Sequence, residues 1–172
     1  TTTPWTLPIN TALTVGSKIE YTLIKTFNQY TYESIQVILA TDLIHKLFSG
    51  NYFEINHESE LLGFESNSKK IPFFILNKFL GKDLLDIKYE QLLKYALPAE
   101  NPENAFRIIH GDYVSTSDGT GIVHTAPTFG ADDALVAKQA EPQIPPMLVK
   151  DKNGDLVPLV DLQGRFISEM KE

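Results

Sequence analysis

Short runs of β-branched and aromatic residues, separated by turn signals, recur along most of the chain and restrict the folds open to it. Residues 12–27 alternate through Ile19, Tyr21 and Leu23 and carry a turn signal at 15–17. This pattern predicts a β-hairpin, and residues 33–40 continue it as a further strand.

Later segments repeat the strand pattern. We expect strands near 52–55 and 72–79, and two short strands within 145–164 around the Asn153-Gly154 turn. Residues 105–114 and 119–126 are two more strand candidates. Asp118-Gly119 is a strong turn signal between them, which predicts that these two strands pair as neighbours.

Two segments have helical character. Residues 42–48 have helical spacing, with Thr41 or Asp42 as the cap and Gly50 as the stop, and 131–140 have helix-forming composition. The Pro-rich stretch 141–146 is interpreted as a surface connection. Many short strands with few helices predict an α+β, mainly β fold. We expect a β-barrel-like domain with a few short helices, which forms one unit over 1–172.

Composition limits the classes of function. The chain has 172 residues, 42% hydrophobic and 22% charged, which is typical of one globular domain. Its net charge of -7 argues against gripping duplex nucleic acid by counterion release. Cysteine is absent, which excludes disulfides, thiolate zinc sites and cysteine nucleophiles. With no apolar run of about 20 residues and no signal peptide pattern, we expect a cytoplasmic protein with no membrane partner.

The segment "GIVHTAPTFGADD", residues 121–133, carries the best candidates for chemistry. The four histidines lack metal-ligand spacing, so no metal site is expected, and no Gly-x-Ser-x-Gly turn is present for a serine nucleophile. What remains is a pocket of hydroxyls, one histidine and one carboxylate. Such a pocket suits a reaction whose electrophile is already activated.

Structural explanations compete with each candidate. Asp132 and Asp133 begin a helix, where the exposed amides and helix dipole stabilise a carboxylate by about 0.3–1 kcal/mol. His124 ends an apolar strand, where a lone histidine is often a hydrogen-bonded core residue. The threonines at 1–3 are also good strand formers. Composition and spacing leave these alternatives open.

Two segments together resemble a known family. The peptides "TTTPWTLPIN" and "DGTGIVHTAPTFGADD" are similar to the threonine-rich and Gly-Thr-Gly peptides in the editing domain, connective peptide 1, of class I aminoacyl-tRNA synthetases. The isoleucyl type fits best, since valyl and leucyl relatives usually have lysine or methionine where this chain has His124. A fainter resemblance covers most of the chain.

The resemblance implies a function. The domain would hydrolyse valine wrongly attached to isoleucine tRNA, and the misactivated valyl-adenylate, with no metal or cofactor of its own.

The same resemblance implies that the domain is an insertion in the Rossmann domain of a larger synthetase, with its two ends close together. The chain begins without methionine and ends without a closing element, so we expect a piece of a longer protein. Its partners would be the tRNA acceptor end and the rest of the parent synthetase, with the domain itself a monomer. A non-catalytic module that binds the acceptor end, and valyl-type editing of threonine, are the alternatives.

The resemblance also implies roles for individual residues. Asp133 would bind the α-ammonium group of the substrate, and His124 would form a pocket wall that excludes the extra methylene of isoleucine and orients water. Thr2 and Thr3 would contact the substrate or the attacking water. Further substrate-binding positions are Thr1, Trp5, Thr6, Gly121, and Asn10 near the terminal adenosine.

Two departures from the family pattern stand out. Phe129 stands where the family often has a second histidine, and "KYEQLL" lacks the proline common after Tyr-Glu. Because Phe129 argues against a two-histidine mechanism, we expect the neighbouring ribose hydroxyl of the tRNA to activate the water while the protein orients it.

Overall fold

The computed structural model describes residues 3–161 and 163–167. Two α-helices lie in this part of the chain, α1 (Ile44–Leu47) and α2 (Ala131–Gln139). Short 3₁₀ helices occur at Pro4–Ile9, Thr41–Leu43, Glu58–Gly63, Gly81–Leu84 and Pro102–Asn104. The strands are β1 (Ala12–Val15), β2 (Glu20–Phe27), β3 (Ser34–Ala40), β4 (Tyr52–Glu54), β5 (Ile71–Leu80), β6 (Arg107–His110), β7 (Ile122–Thr125), β8 (Leu148–Lys150) and β9 (Leu156–Pro158).

The strands form three sheets. A four-stranded sheet has the order β3-β2-β5-β4, a three-stranded sheet has the order β6-β1-β7, and β8 pairs with β9 as a hairpin. The α+β, mainly β class with a few short helices is therefore confirmed. The described strands form open sheets and no closed barrel. Strands predicted at 33–40, 52–55, 72–79 and within 145–164 are all present.

The predicted hairpin over 12–27 is wrong. Its two strands exist as β1 and β2, but they belong to different sheets. A strand has only two edges for main-chain hydrogen bonds. Both edges of β1 are occupied, by β6 in parallel and by β7 in antiparallel orientation. The turn at 16–19 therefore carries the chain from one sheet to the other.

The predicted pairing of 105–114 with 119–126 is also wrong. These segments contain β6 and β7, which lie on opposite sides of β1. The parallel register aligns Ala12 with Arg107, and the antiparallel register aligns Leu13 with His124. The segment between β6 and β7 is thus a connection across the sheet and not a tight turn. This arrangement places β7 directly beside the strand that follows the N-terminal peptide.

The first helix starts without the side-chain cap that the sequence predicts. The 3₁₀ turn and α1 are preceded by Ala40 and Leu43, neither of which makes a side-chain cap bond. The hydroxyl of Thr41 bonds instead to that of Thr22 at 2.8 Å, and Asp42 accepts a bond from Thr116. Because helical structure already begins at Thr41, both residues lie inside the helical segment and not at its cap position.

Tyr21 connects the two larger sheets. Its side chain is fully buried in the core formed with Ile24, Leu39 and neighbouring apolar residues. The Tyr21 hydroxyl donates to the carbonyl of Gly121 at 2.6 Å and accepts from the Gly16 amide at 3.1 Å. Gly121 has φ +76, and a Cβ there would lie 2.5 Å from that of Ala40. Gly121 therefore allows the peptide before β7 to approach the core closely.

A second core cluster anchors both ends of the described chain. Ile9 of the N-terminal peptide packs with Ala126, Met147 and Leu159. Trp5 lies against Gly164, where an added Cβ would come 3.3 Å from the indole ring. Trp5 and Gly164, from the first and last parts of the described chain, thus lie side by side.

Replacing Tyr21 tests the connection between the sheets. We expect Tyr21→Phe to lower the free energy of unfolding by about 1–3 kcal/mol, because two buried main-chain groups lose their partner. Tyr95→Phe is the matched control, since it removes the same hydroxyl from a side chain that is 63% exposed. Chemical denaturation measures both. Equal midpoints for Tyr21→Phe and the unmodified chain would contradict the expected role.

Candidate functional site

A cleft of about 640 Å³ lies where three segments meet: the N-terminal peptide, the strand β7 with the loop before it, and the start of α2. Its polar lining includes Thr3, Thr6, His124 and Asp133. The two threonines lie more than a hundred positions before His124 and Asp133 in the chain. The β1–β7 pairing brings them together, because the Thr11 amide bonds the Thr125 carbonyl at 3.0 Å just where the N-terminal peptide enters β1.

His124 is half-buried at the side of the cleft. Its Nε2 lies 2.7 Å from the Thr6 hydroxyl oxygen. Burial lowers the pKa of His124 below its ordinary value of 6.5, while the nearby negative charge of Asp133 acts in the opposite direction. The imidazole is therefore predominantly neutral at neutral pH and able both to donate and to accept a hydrogen bond.

Asp133 does not cap its own helix. The residue before α2 is Gly130, and the helix start has no side-chain cap bond. The Asp133 carboxylate instead reaches back, and its Oδ2 accepts a hydrogen bond from the Ala126 amide at 2.8 Å. A Cβ on Gly130 would lie 3.1 Å from this carboxylate, so the glycine leaves room for it. The capping explanation of Asp133 is thus replaced by a bond that closes the turn between β7 and α2.

The second carboxylate oxygen of Asp133 remains available. Within the described residues, Asp133 has no ion pair, and Oδ1 makes no hydrogen bond. A carboxylate on the cleft wall with one oxygen uncommitted can accept a charge-assisted bond from a cationic group. Asp132, its exposed neighbour, does not line the cleft.

The threonine peptide is described only in part. Thr3 lines the cleft, and its carbonyl accepts bonds from the Thr6 amide at 3.1 Å and the Thr6 hydroxyl at 2.7 Å. Thr1 and Thr2 lie outside the described residues. The roles of all three in contacting substrate or water stay predictions.

The geometry gives two of the expected substrate-binding residues a structural role. Asn10 is buried, its Nδ2 donates to the Ala12 carbonyl at 2.6 Å, and its Oδ1 accepts from Tyr89 at 2.5 Å. Gly121 is buried, and its carbonyl is occupied by Tyr21. The Asn10 side chain and the Gly121 carbonyl are thus bonded within the fold, and the expected contacts of both residues with substrate stay predictions. Trp5 is 40% exposed and is not among the cleft residues.

Several cleft residues were missed from the sequence. The loop residues Asp118, Gly119 and Thr120 form one rim, and Ile122, Val123 and Phe129 supply apolar lining. Asp118 pairs with Lys46 at 2.8 Å, and the Thr120 carbonyl accepts from the Ala40 amide, which anchors the rim to the neighbouring sheet. Asp118-Gly119 gave only a turn signal, and the alternation of β7 does not show which face meets a ligand.

Neither a metal centre nor a membrane segment is indicated. In residues 3–161 and 163–167, no three histidine, aspartate or glutamate side chains come close enough together to ligate a metal ion. Within the same ranges, no helix has the length and apolarity needed to cross a membrane.

Several isoleucine–tRNA ligases are similar to the chain over nearly its whole length. No known family profile matches the chain. The chain is 54% identical over 172 residues to the isoleucine–tRNA ligase of Cytophaga hutchinsonii, covering 100% of the chain and 15% of that relative. It is 49% identical over 166 residues to that of Bacteroides fragilis, covering 96% of the chain and 14% of the relative. The ligase of Picrophilus torridus is 32% identical over 169 residues, covering 98% and 13%.

The chain belongs to the isoleucine–tRNA ligase family. It spans about 15% of the length of the relatives it matches and therefore corresponds to one segment of such a ligase. The fold is similar to the crystal structure of GlLeuRS-CP1, with a TM-score of 0.50 over 81% of this chain and 42% of that chain at 15% identity. The two findings confirm the resemblance to the connective peptide 1 domain of this ligase that the two motifs indicated.

The titration of His124 tests the electrostatics of the cleft in this ligase segment. By NMR of its ring protons, we expect a midpoint below 6.5, because burial disfavours the imidazolium. Asp133→Asn lowers the midpoint further, since the carboxylate favours the protonated form. Asp132→Asn is the control and moves the midpoint less.

The contribution of His124 to the free energy of unfolding is lost as pH falls from 6.5 through this midpoint, because the histidine is protonated at higher pH in the unfolded chain than in the folded one.

A midpoint above 6.5 would contradict burial as the dominant influence on His124, and a midpoint that responds equally to both aspartate changes would contradict the placement of His124 beside Asp133.

Proposed function

We propose that this ligase segment edits: in its cleft it hydrolyses the ester that joins valine to isoleucine tRNA, and it also accepts the valyl-adenylate. The observation that carries the proposal is the Asp133 carboxylate, which lines the cleft with neutral His124 and the threonine peptide and whose Oδ1 has no hydrogen bond to any of the described residues. This constellation provides a cation acceptor, a polar wall and hydroxyls in one place.

Asp133 supplies recognition of the amino acid. An aminoacyl ester carries an α-ammonium group, and a charge-assisted bond to a carboxylate distinguishes it from other esters. Because the Ala126 amide fixes one oxygen at 2.8 Å, the other is positioned before substrate arrives. This preorganisation reduces the entropy lost on binding.

His124 supplies size selection. One methylene is worth about 1–3 kcal/mol in a hydrophobic pocket, a general figure for which isoleucine against valine is itself the usual illustration. A second site that admits only the smaller side chain therefore adds discrimination. The half-buried imidazole, tied to Thr6, forms a wall that is fixed in position.

Water activation is assigned to the substrate itself. The neutral imidazole and the threonine peptide orient a water molecule, and the neighbouring ribose hydroxyl of the tRNA takes part in its activation. Only the single-stranded acceptor end need enter the cleft, which is compatible with the net charge of -7. The rest of the ligase would bind the body of the tRNA.

Asp133→Asn in the full-length ligase tests the proposal. Asparagine can still accept the bond from the Ala126 amide, so the fold is expected to survive with nearly unchanged melting temperature. Hydrolysis of valyl-tRNA falls about tenfold or more, because asparagine cannot replace a charged bond worth about 1.5–3 kcal/mol. Asp132→Asn removes the same charge outside the cleft and leaves hydrolysis unchanged.

Three results would contradict the proposal, in the role of Asp133, in catalysis or in the choice of amino acid. Parental rates in Asp133→Asn would return Asp133 to a purely structural role. Binding of valyl-tRNA without hydrolysis in the unmodified ligase would indicate a non-catalytic module. Preferential clearance of threonine over valine would indicate valyl-type editing.

His124→Ala tests the pocket wall. We expect the enlarged cleft to accept isoleucine, so that the full-length ligase deacylates correctly charged isoleucyl-tRNA. Deacylation assays with valyl- and isoleucyl-tRNA in parallel measure this change. Loss of valine clearance with no gain against isoleucine would show that the imidazole only orients the water and does not limit the size of the side chain.

A further inference from the structure

The contact between Thr6 and His124 determines where the imidazole carries its proton. Thr6 is 4% exposed and lies in the 3₁₀ helix Pro4–Ile9. Its hydroxyl oxygen is 2.7 Å from the Thr3 carbonyl and 2.7 Å from Nε2 of His124. Both distances are those of hydrogen bonds.

A hydroxyl has a single proton, and a carbonyl oxygen can only accept. The Thr6 proton therefore goes to the Thr3 carbonyl, and the contact with His124 requires a proton on Nε2. In the Nδ1–H tautomer, Nε2 would have to accept the proton of the Thr6 hydroxyl. The oxygens of Thr6 and Thr3 would then lie 2.7 Å apart with no proton between them. Only the Nε2–H form satisfies both contacts.

The position of the Thr6 hydroxyl is fixed by the backbone around it. The Thr6 amide also bonds the Thr3 carbonyl at 3.1 Å, which fixes the turn. Ile9 in the same turn is fully buried against Ala126, and the Thr11 amide bonds Thr125, the residue after His124. The hydroxyl and the imidazole are thus positioned by the same pair of adjacent segments.

We infer that Thr6 is a positioning residue, which fixes His124 as the Nε2–H tautomer and leaves Nδ1 as a hydrogen-bond acceptor for the substrate or the water. The sequence resemblance made Thr6 a substrate-binding residue. In the structure its hydroxyl has two partners inside the protein, and a contact of Thr6 with substrate stays a prediction. The catalytic consequence rests on the proposed editing function, whereas the tautomer itself does not.

The tautomer is measured directly from the ¹⁵N shifts of the His124 ring in the 172-residue chain. At a pH above the His124 midpoint, we expect Nε2 to show the shift of a protonated nitrogen and Nδ1 that of an unprotonated one. Thr6→Val keeps the shape of the side chain without the hydroxyl and shifts both signals towards the averaged values of exchanging tautomers. Thr6→Ser restores the parental pattern.

Activity provides a second measurement in the full-length ligase. For valyl-tRNA hydrolysis, we expect Thr6→Val to lower kcat about tenfold with KM changed by less than about twofold, because orientation of the histidine is lost while ammonium recognition is kept. Thr6→Ser recovers most of kcat.

The results separate the two proposals. A protonated Nδ1 in the unmodified chain, or unchanged ring shifts in Thr6→Val, overturns the positioning role whatever the activity. The expected ring shifts in a ligase that does not hydrolyse valyl-tRNA support the tautomer and reject the editing function. Because the first measurement uses the unmodified chain, a Thr6→Val variant that fails to fold does not prevent the test.

Discussion

The antiparallel pairing of β1 with β7 is the interaction on which the arrangement of the cleft depends. It aligns Leu13 with His124 and brings the N-terminal peptide alongside the end of β7. Without this pairing, the local sequence would not place Thr3 and Thr6 near His124, which is more than a hundred positions away. The buried contact of Ile9 with Ala126 stabilises the same junction from its apolar side.

Asp133 shows how one side chain serves fold and site together. One carboxylate oxygen closes the turn from β7 to α2 through the Ala126 amide, and the other has no hydrogen bond to the part of the chain that the structure describes. A main-chain donor orients the carboxylate without neutralising its charge as an arginine or lysine would. Gly130 leaves room for this carboxylate, because a Cβ there would lie 3.1 Å from it.

Local patterns located the strands but not their partners. The alternation in 12–27 and the turn signal at 118–119 favoured hairpins between successive segments, which are the commonest arrangement. Main-chain donors and acceptors are the same along every strand, so the choice of partner depends on packing across the whole domain. Tyr21 contributes to that choice through its buried bonds to Gly16 and Gly121, residues far apart in sequence.

The sequence by itself determined the mainly β class, the approximate place of most elements, and the two peptides that indicate the ligase family. It also singled out His124 and Asp133. Only the tertiary structure decided that Asn10 and Gly121 serve the fold, that Asp133 bonds Ala126 instead of capping its helix, and which nitrogen of His124 is protonated. The reason is physical: each of these outcomes depends on which polar partner lies within about 3 Å after folding, and residue type and spacing along the chain do not specify that distance.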